Sequence, residues 1–240
     1  KIADRLGFSA LYMTGYGVVA SSFGLPDAGL ATYTEMVDRV KTIAARTITP
    51  LIADGDTGYG GLLNVQHTVR GYEQAGAVAI QLEDQEPPKK CGHTPRRRVI
   101  SLEDMVTKIQ VAVAARESEN FLVIGRTDAR TQYGLAEAIR RGQAFAKAGA
   151  DVIFVEAPES VDEMIEICRE IDCPLMANMA DGGKTPLLTA EELKDVGYQI
   201  VIFPGTAFLA AGSAVESVYQ HLRVTGSSQG LPTPLYDFQE

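Results

Sequence analysis

Short apolar segments alternate along this chain with longer segments in which apolar residues recur at helical spacing. The short segments predict β-strands at Ala10–Thr14, Pro50–Asp54, Ala77–Glu83, Phe121–Arg126, Val152–Glu156, Leu175–Asn178 and Ile200–Phe203. The longer segments predict α-helices, and three of them begin with capping-box spacing: Thr32 with Glu35, Ser160 with Glu163, and Thr189 with Glu192. Strands that alternate with helices in this way predict βα units around a parallel sheet.

The polar residues at the strand ends distinguish two architectures that fit this alternation, an open doubly wound sheet and a (β/α)8 barrel. The candidate for a dinucleotide-binding fingerprint, TGYGVVAS, lacks the third glycine at the required spacing. Nearly every predicted strand ends in a polar residue: Thr14, Asp54, Glu83, Arg126, Glu156 and Asn178. The carboxyl ends of barrel strands meet on one face, where barrel enzymes build their active sites. We therefore predict an α/β fold, a single (β/α)8 TIM-type barrel domain over residues 1–240.

Composition and charge argue against several kinds of partner. The chain has 240 residues, 45% of them hydrophobic, and its net charge of −9 argues against a nucleic-acid partner held by phosphate contacts. No apolar run approaches the roughly 20 residues that span a bilayer, so we expect no membrane partner. Three cysteines, an odd number in a long chain, suit a reducing compartment, and we expect the cytoplasm. Because the chain opens at Lys1 without a methionine, an organellar targeting segment stays an alternative.

The segment LIADGDTGYGG, residues 51–61, places Asp54 and Asp56 where an apolar strand leaves the core. Two carboxylates so close together repel each other unless a cation or a proton lies between them. Hard oxygen ligands suit Mg²⁺, which keeps several waters and takes one or two carboxylates. The alternative is an acidic turn in solvent, where Asp and Gly are common. Glu83 and Asp84 end the next strand, and a further acid at the same face favours the metal site.

The segment PPKKCGHTPRRR, residues 87–98, surrounds Cys91 with lysines and arginines. Positive neighbours lower the pKa of a thiol, so Cys91 is a candidate general acid or base, or a nucleophile. The alternative is a flexible basic loop with an incidental cysteine. Cys168 and Cys173 lie on or after the apolar side of a helix, where core packing explains them, and the cysteine spacing argues against zinc.

Arg126 ends a predicted strand beside Asp128, in VIGRTDAR. At a barrel mouth that already holds acids, an arginine is expected to bind a substrate carboxylate. The alternative is a structural ion pair with one of those acids. Glu156 and Asn178 are less specific, since each can satisfy backbone groups at its strand end.

Six motifs in order resemble one superfamily over essentially the whole chain: YMTGYG, DGDTGYGG, EDQ followed by KKCGH, RTDAR, VEAP and ANMADGGKTP. They resemble the isocitrate lyase/phosphoenolpyruvate mutase superfamily, and within it the branch of 2-methylisocitrate and 2,3-dimethylmalate lyases. The resemblance implies a (β/α)8 barrel that exchanges a C-terminal helix between subunits and forms a homotetramer. It also implies a first strand before Lys1 and a longer C-terminal helical extension, so we expect this chain to lack that strand and part of the extension.

The resemblance also implies roles for single residues. Asp54 and Asp56 would hold Mg²⁺, with Mn²⁺ as a possible substitute, and Asp27 and Glu83 would contribute through water. Cys91 would be the general acid that protonates the departing enolate carbon. The pyruvate-like half of the substrate would contact Thr14, Gly15, Tyr16 and Arg126, and the other half would contact Gly92, His93, Glu156 and Asn178.

The implied function is a Mg²⁺-dependent carbon–carbon lyase that cleaves a 2-hydroxy di- or tricarboxylate to a 2-oxo acid such as pyruvate. Phosphonate-forming mutases of the superfamily lack the KKCGH cysteine, so Cys91 favours a lyase. Methylisocitrate lyases usually carry an arginine where this chain has Leu209, and ADGGKTP replaces their TEFG, which together favour a smaller or alkylated malate. The alternatives are an oxaloacetate hydrolase or decarboxylase, a phosphonomutase, and a barrel that binds a diacid without catalysis.

Overall fold

The computed structural model describes residues 1–90, 92 and 97–239. Two of the predicted site residues, Cys91 and His93, therefore lie outside the described part of the chain.

A sheet of seven parallel strands forms a nearly closed barrel with helices packed around it, which confirms the predicted fold class. The strands follow one another in chain order, each hydrogen-bonded to the next: β1 Leu11–Met13, β2 Leu51–Asp54, β3 Ala79–Glu83, β4 Leu122–Thr127, β5 Val152–Val155, β6 Leu175–Asn178 and β7 Ile200–Ile202. Each strand lies within a residue or two of its predicted range. The prediction of a further strand before Lys1 stays a prediction.

The helices between β1 and β7 connect successive strands, so each crossover returns the chain to the same end of the barrel, while one described helix precedes β1 and one follows β7. Their bounds are α1 Ile2–Arg5, α2 Gly15–Phe23, α3 Tyr33–Ala44, α4 Leu62–Gln74, α5 Leu102–Ala115, α6 Arg130–Tyr133, α7 Leu135–Lys147, α8 Val161–Glu170, α9 Ala190–Val196 and α10 Thr206–Thr225. None of the described helices is long and apolar enough to cross a membrane.

Predicted helix starts are confirmed by hydrogen bonds. The side chains of Thr32 and Thr189 each accept from the backbone N–H three residues later, and the Glu at that position accepts in return from the threonine N–H. Ser160 accepts from the N–H of Glu163. These contacts satisfy amide groups that the first helical turn would otherwise leave unpaired.

Apolar side chains fill two layers, one inside the barrel and one between the sheet and the helices. The inner cluster is small and comes from alternate strand positions: Ile52, Ala79, Ile124, Val152, Phe154, Met176 and Ile202. The larger outer cluster packs the opposite strand faces against the helices. Successive strand residues point to opposite faces, so each strand supplies side chains to both layers. The last inward residue of a strand therefore lies at the carboxyl end of the barrel.

Candidate active site

A cavity of about 330 Å³ opens at the carboxyl ends of the strands. Its lining includes most of the predicted site residues within the described chain: Thr14, Tyr16, Asp27, Asp54, Glu83, Gly92, Arg126, Glu156 and Asn178. Gly15 and Asp56 lie directly behind it, against Asp54. The carboxyl ends of the parallel strands therefore bring these residues together as expected for a barrel.

Asp54 is held by three donors at the end of β2. Its Oδ2 accepts from Gly15 N–H at 3.0 Å, and its Oδ1 accepts from Asp56 N–H at 3.0 Å and from Gln81 Nε2 at 3.2 Å. A Cβ at Gly15 would lie 2.9 Å from Asp54 Oδ2, so only glycine allows the first turn of α2 to approach this closely. The carboxylate is thus fixed at the cavity wall.

The turn after Asp54 has a strained backbone. Asp56 and Tyr59 adopt φ values of 48° and 58°, which residues other than glycine rarely adopt. Glu83 N–H donates to the carbonyl of Asp56 at 2.9 Å, which ties the turn to the end of β3. Strain of this kind persists where neighbouring contacts enforce it, and it is typical of functional sites.

Lys89, which the sequence interpretation did not single out, bridges two acids of the predicted metal set. Its Nζ lies 2.7 Å from Asp27 Oδ1 and also forms an ion pair with Asp56 Oδ1. The buried ammonium of Lys89 is therefore shared between two carboxylates. Burial raises the pKa of Asp56 to about 7, despite the ammonium of Lys89. The site thus favours added positive charge.

The carboxylates suit a hard cation such as Mg²⁺. No group of three or more acidic, histidine or cysteine side chains is close enough to chelate an ion among residues 1–90, 92 and 97–239. Mg²⁺ does not need such a cage, because it keeps several waters and binds one or two carboxylates. Asp54 lines the cavity, and the Oδ1 atoms of Asp27 and Asp56 converge on the ammonium of Lys89, so these acids already hold one cation. These acids therefore fit the predicted metal.

Arg126 lies at the base of the cavity among three carboxylates. Its Nε and Nη2 donate to Asp128 at 3.0 Å each, and it forms ion pairs with Glu83 at 3.5 Å and Glu156 at 3.3 Å. Its guanidinium carbon lies 5.0 Å from the ring centre of Phe154. Although burial opposes its charge, the surrounding acids raise the pKa of Arg126 well above its usual range. Both interpretations of Arg126 therefore fit: it is a structural ion pair and it lines the cavity.

Glu83 and Asp84 are neighbours that serve opposite faces of the sheet. Glu83 points into the cavity, and burial raises its pKa well above the usual range. Asp84 points outward, where it accepts from Thr127 Oγ1 at 2.8 Å and Arg141 Nη1 at 3.0 Å. Burial raises the pKa of Asp84 to about 6. Strand alternation explains why one acid belongs to the site and the next does not.

Polar side chains beyond the predicted set extend the network. Tyr12 lines the cavity and donates to Gln81 Oε1 at 2.6 Å, which orients the Gln81 amide toward Asp54. Within the predicted set, Asn178 donates to Glu156 at 3.2 Å, and its Oδ1 is buried without a donor among the described residues. Both Tyr12 and Gln81 lie on predicted strands at inward positions, and that alternation is the signal that could have found them.

Residues on both sides of Cys91 line the cavity, namely Lys90 and Gly92. A Cβ at Gly92 would lie 2.6 Å from Arg126 Nη2 and 2.9 Å from Glu156 Cδ, so the Gly92 backbone packs directly on these two side chains. The predicted roles of Cys91 and His93 fall outside the described residues and stay predictions.

The barrel and its charged cavity place this protein among the (β/α) barrels that have an enzyme-type site at the carboxyl ends of their strands. The chain belongs to the phosphoenolpyruvate phosphomutase family, whose model matches residues 1–223. It is 47% identical to the 2,3-dimethylmalate lyase of Eubacterium barkeri, over 100% of this chain and 83% of that protein. It is 44% identical to the 2-methylisocitrate lyase of Aeropyrum pernix, over 98% and 75%. These relatives are carbon–carbon lyases, and the resemblance seen in the sequence is confirmed.

Solved structures agree with this assignment. A 2,3-dimethylmalate lyase, described as a PEP mutase/isocitrate lyase superfamily member, superposes with a TM-score of 0.93 at 36% identity, over 98% of this chain and 79% of the other. An oxaloacetate acetylhydrolase with a bound inhibitor gives 0.92 at 37% identity, over 97% and 79%. A phosphonopyruvate hydrolase in complex with oxalate and Mg²⁺ gives 0.87 at 32% identity, over 100% and 83%.

Proposed function

We propose that this protein is a Mg²⁺-dependent lyase that cleaves a 2-hydroxy dicarboxylate of the 2-methylisocitrate or alkylmalate type into a 2-oxo acid such as pyruvate and a second carboxylate. The observation that carries the proposal is the cavity, in which Arg126 and the acids of β2 and β3 face the residues that flank Cys91. The named lyase relatives support it over nearly the whole chain.

The charge of the cavity supports a divalent cation. Its described lining carries five carboxylates and three cationic side chains: Asp27, Asp54, Glu83, Glu156 and Asp181 against Lys89, Lys90 and Arg126. A dicarboxylate would enter this surplus of negative charge unfavourably. Bound Mg²⁺ would offset the surplus and stabilise negative charge on the substrate oxygens. Mn²⁺ accepts the same oxygen ligands and is the proposed substitute.

The proposed reaction breaks the bond between C2, which bears the hydroxyl, and C3. The hydroxyl proton would pass to one of the cavity carboxylates as the C2–O bond becomes a carbonyl, and the bonding electron pair passes to C3 as an enolate. A proton added to C3 then completes the second carboxylate product. Arg126 would hold the carboxylate of the 2-oxo acid half beside Thr14, Gly15 and Tyr16. Cys91 would donate the proton to C3, within a site that Gly92, His93, Glu156 and Asn178 complete.

Apolar residues on one side of the cavity favour an alkylated substrate. Leu209 lines the cavity together with Ile202 and Pro204, close to the start of α10. A third carboxylate would find no cation among these residues, whereas a methyl or ethyl group would lose water favourably there. Within the proposed lyase activity, an alkylmalate is therefore preferred to a tricarboxylate.

The second candidate is hydrolysis or decarboxylation of oxaloacetate, which the similarity to the oxaloacetate acetylhydrolase favours. The deciding experiment is a panel of 2-hydroxy and 2-oxo diacids with Mg²⁺, with products identified by NMR. Release of pyruvate from an alkylmalate supports the lyase, and oxalate and acetate from oxaloacetate support the hydrolase. Turnover of phosphonopyruvate alone would favour a phosphonomutase. Binding without turnover of any substrate would favour a non-catalytic barrel.

Replacing Asp54 with asparagine is expected to weaken Mg²⁺ binding by more than about 100-fold, measured by calorimetry. The amide removes a negative charge and sets an N–H₂ group against Gly15 N–H or Asp56 N–H, whichever way it turns. Asp84→Asn is the matched control, because Asp84 is also a buried carboxylate but bonds outward to Arg141. Equal Mg²⁺ affinity in Asp54→Asn and the unaltered protein would contradict the metal assignment.

We also propose a homotetrameric, cytoplasmic protein with no nucleic-acid or membrane partner. A helix exchanged between subunits would give α10 a partner surface, since no residue of this helix is buried in the isolated chain. Light scattering coupled to size-exclusion chromatography would measure the assembly directly.

A further inference from the structure

Gln85 is a buried amide that belongs to none of the proposed substrate or metal contacts. It lies two residues after Glu83, just beyond the end of β3, and is 1% exposed. Its own backbone is fixed by a bridge to Val99, flanked by hydrogen bonds from Glu86 N–H to Arg98 O and from Ile100 N–H to Asp84 O, both 2.8 Å. The amide is therefore presented from a rigid base.

The Gln85 side chain holds the peptide groups of Lys90 on both sides. Its Oε1 accepts from Lys90 N–H at 3.0 Å, and its Nε2 donates to Lys90 O at 2.8 Å and to Glu83 Oε1 at 3.0 Å. Only one orientation of the amide satisfies these contacts, because a flipped amide would set donor against donor at Lys90. The Lys90 carbonyl is the group bonded to the nitrogen of Cys91.

Lys89 and Gly92, on either side of this peptide, also contact the residues of the cavity. Lys89 forms ion pairs with Asp27 and Asp56, and Gly92 packs on Arg126 and Glu156. The hydrogen bonds of Gln85 hold the peptide that precedes Cys91, and they join that peptide to Glu83 of the proposed metal site.

We propose that Gln85 is a positioning residue, which holds the backbone before Cys91 in register with the substrate cavity and couples it to Glu83. This inference rests on the proposed lyase activity for its catalytic consequence. The hydrogen bonds from the Gln85 side chain to Lys90 and Glu83, which we call the clamp, are independent of the reaction. Proton transfer to carbon requires the donor within hydrogen-bond reach of the acceptor, and a misplacement of about 1 Å can cost about 100-fold in rate.

The test compares Gln85→Met with the unaltered protein, using two measurements at saturating Mg²⁺. Hydrogen exchange of the Lys90 amide is expected to rise at least about 10-fold, since methionine offers no acceptor for it. The kcat for the diacid that the panel identifies is expected to fall about 100-fold, with KM changed less than about threefold. Gln85→Asn, one methylene shorter, should show both effects if the methionine variant folds poorly.

The matched control is Glu86→Gln, which removes the exposed 2.9 Å ion pair with Arg98 from the same segment. It is expected to leave both the Lys90 exchange rate and kcat unchanged. Unchanged Lys90 exchange in both Gln85 variants would overturn the clamp, and raised exchange with normal kcat would overturn its role in the reaction. If the unaltered protein cleaves no diacid, the lyase proposal fails and the catalytic part of this inference with it, while raised exchange would still establish the clamp.

Discussion

Replacing Arg126 with methionine is expected to lower the free energy of unfolding by about 3–5 kcal/mol and to abolish diacid cleavage. The guanidinium lies between Glu83, Asp128 and Glu156, all buried, so its loss leaves acids without their counter-charge. Urea denaturation measures the first effect. Turnover measured below the unfolding transition gives the second, since the substrate carboxylate loses its guanidinium as well.

The loss of stability in this variant should depend on pH. Burial already raises the pKa of Glu83 well above its usual range, and Arg126 counteracts that rise. Without Arg126 the pKa of Glu83 in the folded state rises further. Below that pKa the folded protein keeps Glu83 protonated at little cost, whereas above it folding requires uptake of a proton or burial of a charge, and stability falls. The loss should therefore grow as the pH rises through the folded-state pKa of Glu83, which urea denaturation at a series of pH values would measure.

Two further variants separate charge from geometry and from surface effects. Arg126→Lys keeps a positive charge but not the planar fork that Asp128 accepts, so we expect most of the stability and little of the turnover to survive. Arg140→Met removes an exposed pair with Glu137 and should cost at most about 1 kcal/mol. If Arg126→Met were as stable and active as Arg140→Met, the assigned role of Arg126 would be wrong.

The fold was predictable because its signals are local. Alternation of apolar strands with capped helices identifies a parallel barrel, and the strand ends then identify the residues that share its mouth. The stretch Leu175–Asn178 coincides with β6 as predicted. Alternation at the end of β3 also separates Glu83, which the sequence interpretation assigned to the metal site, from its neighbour Asp84.

The contacts of the basic segment were not predictable in the same way. Lys89 reaches Asp27 and Asp56, which belong to two other loops, and no periodicity in the chain relates these three residues. The contact between the Gly92 backbone and Arg126 was equally unpredictable, because it arises where one loop packs on the end of a strand. Sequence composition showed that the segment is basic, whereas its partners depend on tertiary structure.

Replacing Cys91 with serine is expected to lower kcat by about 100- to 10,000-fold while substrate affinity changes little. Serine has nearly the same shape, but its hydroxyl is a much poorer proton donor than a thiol. Steady-state kinetics would give kcat, and calorimetry with the substrate and Mg²⁺ would give binding separately. The combination of lost turnover and retained binding identifies a group that acts in the chemical step.

Cys168→Ser is the matched control for this substitution. Cys168 is half-buried, and burial raises the pKa of its thiol to about 11, the opposite of what an acid catalyst near neutral pH requires. We expect this variant to keep its kcat. Undiminished turnover in Cys91→Ser would remove Cys91 from the mechanism and require another proton donor at the cavity.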